Sequence, residues 1–355
     1  LSRIFNKACG NRKIFINQIA LNSFGRLFRV NIFGESHGEG VGVILDGCVS
    51  GMPLQTEDFL PDLERRKGGV LKGTTPRQED DLPIFKSGLF QGKTTGAPLA
   101  ILFDNKNTRS GDYEKQRSVP RPGHADFVAH QKFGGHEDYR GGGHFSGRLT
   151  VGIVAAGVVA KKILGGAKTG PIEVKSTILE IGGETDLEKG LQKAIDAKDS
   201  IGGIVECRIT GIPAGCGEPF FDSLESVISH AVFSIPAIRA IEFGTGFAAA
   251  RMYGSDHNDA IDSMDGKTRT NHAGGIVGGI SNGNEIVFRI AVKPTSSTPR
   301  EQQTLNWETG TQESFSVRGR HDLCIALRVP PVLEAAAAIV LADYMLLDQK
   351  IARVW

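Results

Sequence analysis

Forty-six of the 355 residues are glycine, nearly twice the usual share of about 7%. Much of such a chain must run at positive φ or at close backbone approach. It folds into many tight turns, and its glycines sit beside charged residues at Gly34–Gly38, Arg140–Arg148 and Gly319–Asp322. The length allows one large domain or two ordinary ones. Apolar residues at 40% and charged residues at 23% exclude wholesale disorder. Lys+Arg at 41 against Asp+Glu at 40 argues against a general polyanion binder, so no nucleic-acid partner is expected and positive charge must act locally.

The longest apolar stretches, Gly152–Ala160 and Ala335–Ala342, fall short of the ~20 residues of a membrane span, so no membrane association is expected. Five cysteines without a C-x-x-C pair fit a reducing cytoplasm better than a disulfide framework or a thiolate zinc site. Residues 1–21 form a basic leader with Arg3, Lys7, Arg12 and Lys13. They are set apart as a cloning remnant (preferred), an upstream segment or a transit segment. No linker divides residues 22–355, which are taken as one domain.

Strands are expected at Leu27–Phe33, Val41–Leu45, Leu99–Phe103, Ile204–Ile209 and Ile286–Val292. Helices are expected at Thr56–Lys67 with Thr56 as N-cap, at Arg148–Leu164 (apolar nearly all round, hence central), at Leu224–Phe233 and at Val332–Leu347. Asp104–Arg140 reads as a long polar loop of functional length. Thr95–Thr108 and Ser281–Thr295 share a faint pattern of turn, apolar strand, Lys and Thr.

Five segments carry chemistry. The turn Gly34–Gly38 presents Ser36 and His37 on a glycine-bounded bend, or is a plain hairpin with an incidental histidine. Arg121–Asp126 holds His124 and Asp126 between a proline and a helix, where Asp126 orients the imidazole, caps the helix, or does both at once. Arg140–Arg148 sets a run of three glycines, Ser146 and two arginines at a helix N-terminus, which suits a phosphate or carboxylate. Lys293–Ser297 ends a strand with a cation and three hydroxyls. Arg318–Asp322 places Arg, His and Asp on a glycine hinge. Arg65 and Arg66 read as dipole compensation or as ligand contacts. His130, His136, His230 and His257 read as structural or solvated. There is no P-loop, no Rossmann fingerprint and no metal-ligand spacing, so no metal is expected. The sum points to a small ligand with several negative charges, two phosphates plus carboxylates, and histidines for proton transfer.

Phe33–Gly38, Arg121–Asp126, Arg140–Arg148, Asn271–Gly275 with Gly278–Ile280, Lys293–Ser297 and Gly319–Asp322 occur in the order found in chorismate synthases, and the chain from Phe24 onward resembles that family. The resemblance implies an α/β fold of α+β type, a β-α-β sandwich with antiparallel sheets around a central helical core, assembled as a homotetramer. It implies a lyase that eliminates phosphate from 5-enolpyruvylshikimate 3-phosphate to give chorismate, on the shikimate pathway to aromatic amino acids. The cofactor implied is reduced FMN, with NADPH or an external flavin reductase as the source of electrons.

By the same resemblance His37 protonates the leaving phosphate, His124 keeps the reduced flavin protonated and Asp322 assists as base. Arg65, Arg121, Arg148 and Arg320 bind substrate. FMN contacts fall on His144, Phe145, Ser146, Pro236, Ala237, Gly278, Lys293, Pro294, Thr295, Ser296, Ser297 and Arg320. Arg66 and Lys72 fall where a nicotinamide nucleotide contact is inferred. The chain departs from the family pattern at His144-Phe145, at Pro236 and at Lys72, where many members have Arg-Ser, Asn and Arg. Two other readings are a non-catalytic flavin or metabolite binder, which has no need of His37, His124 and Asp322, and a phosphotransferase, which the missing P-loop disfavours.

Overall fold

Two helices are too apolar to face water on any side. They are α3 (Thr150–Gly165) and the closing α7 (Pro330–Leu347), and they decide the architecture. Such helices need cover all round, and two antiparallel sheets supply it. The computed structural model describes residues 22–69, 71–77, 79–108, 117–317 and 321–355. Gly157 sets the helix contact: a Cβ there would lie 2.2 Å from the Ala335 Cβ, so any side chain would drive α3 and α7 apart. Pro330 and Pro331 open α7, where a missing N–H is harmless.

The first sheet contains β1 (Ser23–Phe24), β2 (Arg29–Gly34), β3 (Gly40–Asp46), β4 (Ile84–Ser87) and β5 (Leu99–Asp104), in spatial order β1-β2-β3-β5-β4. The second contains β6 (Glu173–Ile181), β7 (Gly203–Thr210), β8 (Ile238–Phe243) and β9 (Ile286–Val292), in order β8-β9-β7-β6. α3 packs on β3 and α7 on β6, which gives the expected sandwich of sheet, helices and sheet. α1 (Leu60–Arg66), α2 (Asp126–Phe133), α4 (Leu187–Ala197), α5 (Leu224–Phe233) and the single turn α6 (Gly254–His257) lie around it. One hydrophobic cluster runs through both sheets and the helices. α7 is long and apolar enough to cross a membrane, yet 94% of it is buried here among α3, α5 and the second sheet. Cys48, Cys207, Cys216 and Cys324 are free and buried.

Some boundaries depart from expectation for physical reasons. The predicted helix Thr56–Lys67 is a 3-10 turn, Thr56–Asp58, followed by α1. Pro61 tolerates only a first turn, and Gln55, not Thr56, is the cap residue, its N–H donating to Asp58 at 2.9 Å. The predicted loop Asp104–Arg140 contains α2, capped by Ala125 rather than Asp126. β6 and β8 were not predicted, because polar residues such as Lys175, Thr177 and Arg239 break their apolar pattern. The two faintly similar segments become β5 and β9, each an inner strand of its own sheet.

Candidate active site

A cleft of about 960 Å³ opens where the glycine-rich segments meet the ends of both helical and sheet layers. That is near the upper end of the ~300–1,000 Å³ usual for small-ligand sites. Eight lysines and arginines line it against three carboxylates. A neutral chain has therefore gathered its positive charge in one hollow.

At one wall, Pro120, Pro122 and Gly123 hold the backbone before α2, and Arg121, His124 and Asp126 converge. Asp126 takes two hydrogen bonds from the Arg121 guanidinium, both 2.7 Å, and lies 2.6 Å from His124 Nδ1. Burial would push the Asp126 carboxyl up, but the bonds from Arg121 and His124 outweigh it and hold it far below the carboxylate range. Burial lowers the pKa of His124, with Arg121 adding to the effect and Asp126 opposing it. The imidazole is thus neutral at pH 7; Nδ1 lies 2.6 Å from Asp126 and 3.0 Å from Arg121 Nη2, and we assign its proton to Nδ1 on the shorter contact, which leaves Nε2 as the exchangeable nitrogen. Nε2 faces Gly142 (φ 82°), where a Cβ would come within 3.3 Å of it. The alternative of Asp126 as a helix cap is overturned, because its oxygens are committed to Arg121 and His124.

Opposite lies a buried triad. Asp81 sits between Arg66, at 2.5 Å, and Arg148, both guanidiniums almost fully buried. Arg148 leads into α3, with Ser146 accepting its N–H at 3.3 Å, and its Nε donates to Asn105 at 2.9 Å. Burial lowers Arg66 to about 10, against the pull of Asp81. Burial raises Asp81, but the two arginines outweigh it and keep the carboxylate ionised.

Asn105 also clamps the Ser36–His37 turn, donating to the carbonyls of Glu35 and Gly38 at 2.9 and 3.0 Å. Ser36 lines the cleft and accepts from Arg77 at 3.1 Å. His37 is buried behind Gly141 (φ 59°), which forms the wall; a Cβ there would lie 2.6 Å from His37 Nε2.

On the second-sheet side, Asp322 accepts from Arg328 at 2.9 Å and from the Thr75 N–H at 2.9 Å. Its neighbour His321 lines the cleft, and burial beside Arg121 lowers its pKa to about 4. Lys293 donates to Gly123 O and Ser296 Oγ, while burial and the nearby Arg239 lower its pKa and no carboxylate faces it among the described residues. Thr295 Oγ1 is buried without a partner. Pro236 and Ala237 complete this wall, and Ala237 O accepts the Lys293 N–H at 2.9 Å.

Most expected residues therefore meet in one cleft: His124, Asp322, Arg121, Arg148, His144, Phe145, Ser146, Pro236, Ala237, Lys293–Ser297 and Arg66 line it. His144 does so while donating through Nδ1 to Gly34 O at 2.8 Å. Four are placed elsewhere. His37 is buried behind the Gly141 wall and does not line the cleft. Arg65 points away from the cleft, because consecutive residues on a helix lie about 100° apart, and it pairs with Glu334 at 2.7 Å. Gly278 sits in the exposed turn between Ile276–Val277 and Ile280–Ser281. Lys72 is exposed beside Gln192. Arg320 and the leader lie outside the described residues. Sequence reasoning missed Arg77, Asp81, Asn105, Arg239 and Arg328. Only Arg77, next to Thr75-Pro76, carries a local signal. Among the described residues no group of His, Cys, Asp and Glu could hold a metal ion.

A family model described as chorismate synthase matches residues 28–346. A chorismate synthase of Chitinophaga pinensis is 69% identical over 94% of this chain and 99% of its own length. One of Methanocaldococcus jannaschii is 42% identical over 92% of this chain and 96% of its own. A solved structure described as a crystal structure of chorismate synthase superposes with a TM-score of 0.69 at 27% identity, covering 92% of this chain and 93% of the other.

Proposed function

This chain belongs to the chorismate synthase family, and from that premise we propose how its own residues serve the reaction. The chain is a lyase that acts on a small-molecule substrate, removing phosphate from 5-enolpyruvylshikimate 3-phosphate in an anti 1,4-elimination that yields chorismate. The family works with a reduced flavin, which we assign as FMN. The observation that carries this assignment is the second-sheet wall, where Lys293 faces Arg239 without a carboxylate and Thr295 Oγ1 is buried without a partner. A cation and an orphan hydroxyl fit a phosphate tail. Lys293, Thr295 and Ser296 would hold it, with Pro236, Ala237 and Phe145 against the rest of the group. When bound, the reduced flavin supplies electron density to the allylic system as phosphate leaves.

Arg121 and Arg148 bind the anionic groups of the substrate as planar forks. His37, set by Asn105 and Ser36 behind Gly141, gives a proton to the leaving phosphate. His124 stays neutral and exchanges protons through Nε2, because Asp126 holds its other nitrogen. Asp322, fixed by Arg328 and the Thr75 N–H, assists proton removal. These roles rest on the family resemblance and on the placement of each group at or beside one cleft.

We assign reduction of the flavin to a separate reductase. Arg66 lines the cleft whereas Lys72 does not and is exposed beside Gln192, so the two residues inferred for NADPH are not both on this site. A cytoplasmic homotetramer is the assembly this reading favours. Phe220 and Phe221, 87% and 94% exposed, offer apolar area for subunit contact, and the buried free cysteines suit a reducing compartment. The test is chorismate formation from substrate with chemically reduced FMN in the absence of oxygen. Folded protein that binds FMN yet forms no product would overturn the roles assigned here.

A further inference from the structure

Asp81 is an odd occupant for an anion site. Its carboxylate, almost fully buried, is packed into the cleft wall between Arg66 and Arg148, where it holds the place an anion would take on those two guanidiniums. Its backbone is left-handed, φ 51°, a conformation rare and strained for a residue other than glycine. The triad is also incompletely satisfied. Arg66 is 97% buried, yet its Nε has no hydrogen-bond partner, and its Nη1 reaches only Thr150 Oγ1 at 3.4 Å. A permanent structural ion pair this deep is normally satisfied at every N–H. The segment bearing Asp81 is tied down two residues earlier instead: Glu79 accepts from Arg77 and from the N–H groups of Lys106 and Asn107. The carboxylate can therefore leave the arginines while the segment stays anchored.

We propose that Asp81 is a displaceable counter-ion: it holds Arg66 and Arg148 in the free enzyme and yields them to the phosphate or carboxylate of the bound ligand. The proposal rests on the reading of Arg148 as an anion fork and deepens it. In the empty cleft two desolvated guanidiniums would repel each other, and Asp81 prevents this. When an anion arrives it supplies the missing acceptors, including one for Arg66 Nε. When inorganic phosphate has been formed, the return of Asp81 competes for the same forks and promotes release. Asp81 thereby weakens apparent anion affinity by the fraction of molecules in which it occupies the site.

Binding of inorganic phosphate is measured by calorimetry for the parent, Asp81→Asn, Asp81→Gly and Arg148→Ala. Glycine is at ease at φ 51° and serves as the second variant should the amide fail to fold. Both Asp81 variants are expected to bind phosphate about ten-fold tighter than the parent, as removal of a roughly 10:1 competing state requires. In turnover they should show a lower KM, a lower kcat and about ten-fold stronger inhibition by phosphate. Folded Asp81 variants that bind phosphate no tighter than the parent, while Arg148→Ala still weakens binding, would mean that Asp81 is a fixed strut. Unchanged affinity in Arg148→Ala as well would overturn the anion-fork reading itself, and this proposal with it.

Discussion

Arg65 and Arg66 are adjacent on α1 and end in opposite surroundings. Arg66 turns into the cleft and meets Asp81 with Arg148 beyond it. Arg65 turns to the α1, α3 and α7 junction, where buried Glu334 takes Arg65 at 2.7 Å, Lys161 at 2.8 Å and the Ser176 N–H at 3.0 Å. Both clusters place a carboxylate between two cations. In the Glu334 cluster both carboxylate oxygens are paired, and it ties three helices to β6. The Asp81 cluster leaves Arg66 Nε without a partner and faces a cavity. A saturated ion cluster is a strut; an unsaturated one beside a void is a place for a ligand.

Variants can break this contrast. The largest effect belongs to the cleft: His124→Ala should lower turnover by about 10²–10⁴-fold, with the melting temperature nearly unchanged, as steady-state assay and calorimetry would reveal. Normal turnover would remove His124 from proton transfer. Next, Glu334→Ala should lower stability by about 1–3 kcal/mol, because Arg65 and Lys161 are partly exposed and can rehydrate while the Ser176 N–H loses its acceptor. Its KM should not change; a large rise in KM with intact stability would make the strut part of the site. Arg148→Ala should weaken substrate binding by about 10–100-fold, in line with ~1.5–3 kcal/mol for a hydrogen bond to a charged group. Equal affinities in the variant and the parent would count against the fork.

The smallest effect separates another residue of the cleft, His321, from the Glu334 cluster by pH. His321 has a folded pKa of about 4, below its unfolded value. Its contribution is fully present above pH ~6.5 and is lost as pH falls from there to about 4, because only the unfolded chain takes up the proton. Glu334 is held below its usual value, so its contribution is lost only below pH ~4.3. Urea unfolding at pH 7 and pH 4.5 should therefore show a loss of about 1–3 kcal/mol that His321→Gln reduces. An identical loss in the variant would assign the acid sensitivity elsewhere.

Much of the site was legible because glycine, proline and charge coincide. At Arg121–Asp126 the ring and the glycine fix the backbone, so His124 and Asp126 had to stay close, and they do. Gly141 and Gly142 were legible as a cradle; their neighbours, the rings of His37 and His124, were not. Asp81 and Asn105 were invisible, since a single Asp or Asn in a polar segment carries no periodic or motif signal. Arg65 was misplaced because an Arg-Arg pair at a helix end says nothing about which face each occupies until the helix has neighbours.

Local order was in the residues themselves. Apolar saturation predicted that α3 would be central, alternation predicted β9 to the residue, and the order of the motifs identified the family. These follow from backbone preference and burial, which act over a few residues. Only the tertiary structure decided which charges meet. Ion pairs such as Arg65–Glu334 and Arg148–Asp81 join residues 269 and 67 positions apart, and their partners are set by how helices and sheets pack. Electrostatic pairing depends on distance and burial in space, and neither is a property of a position in a chain.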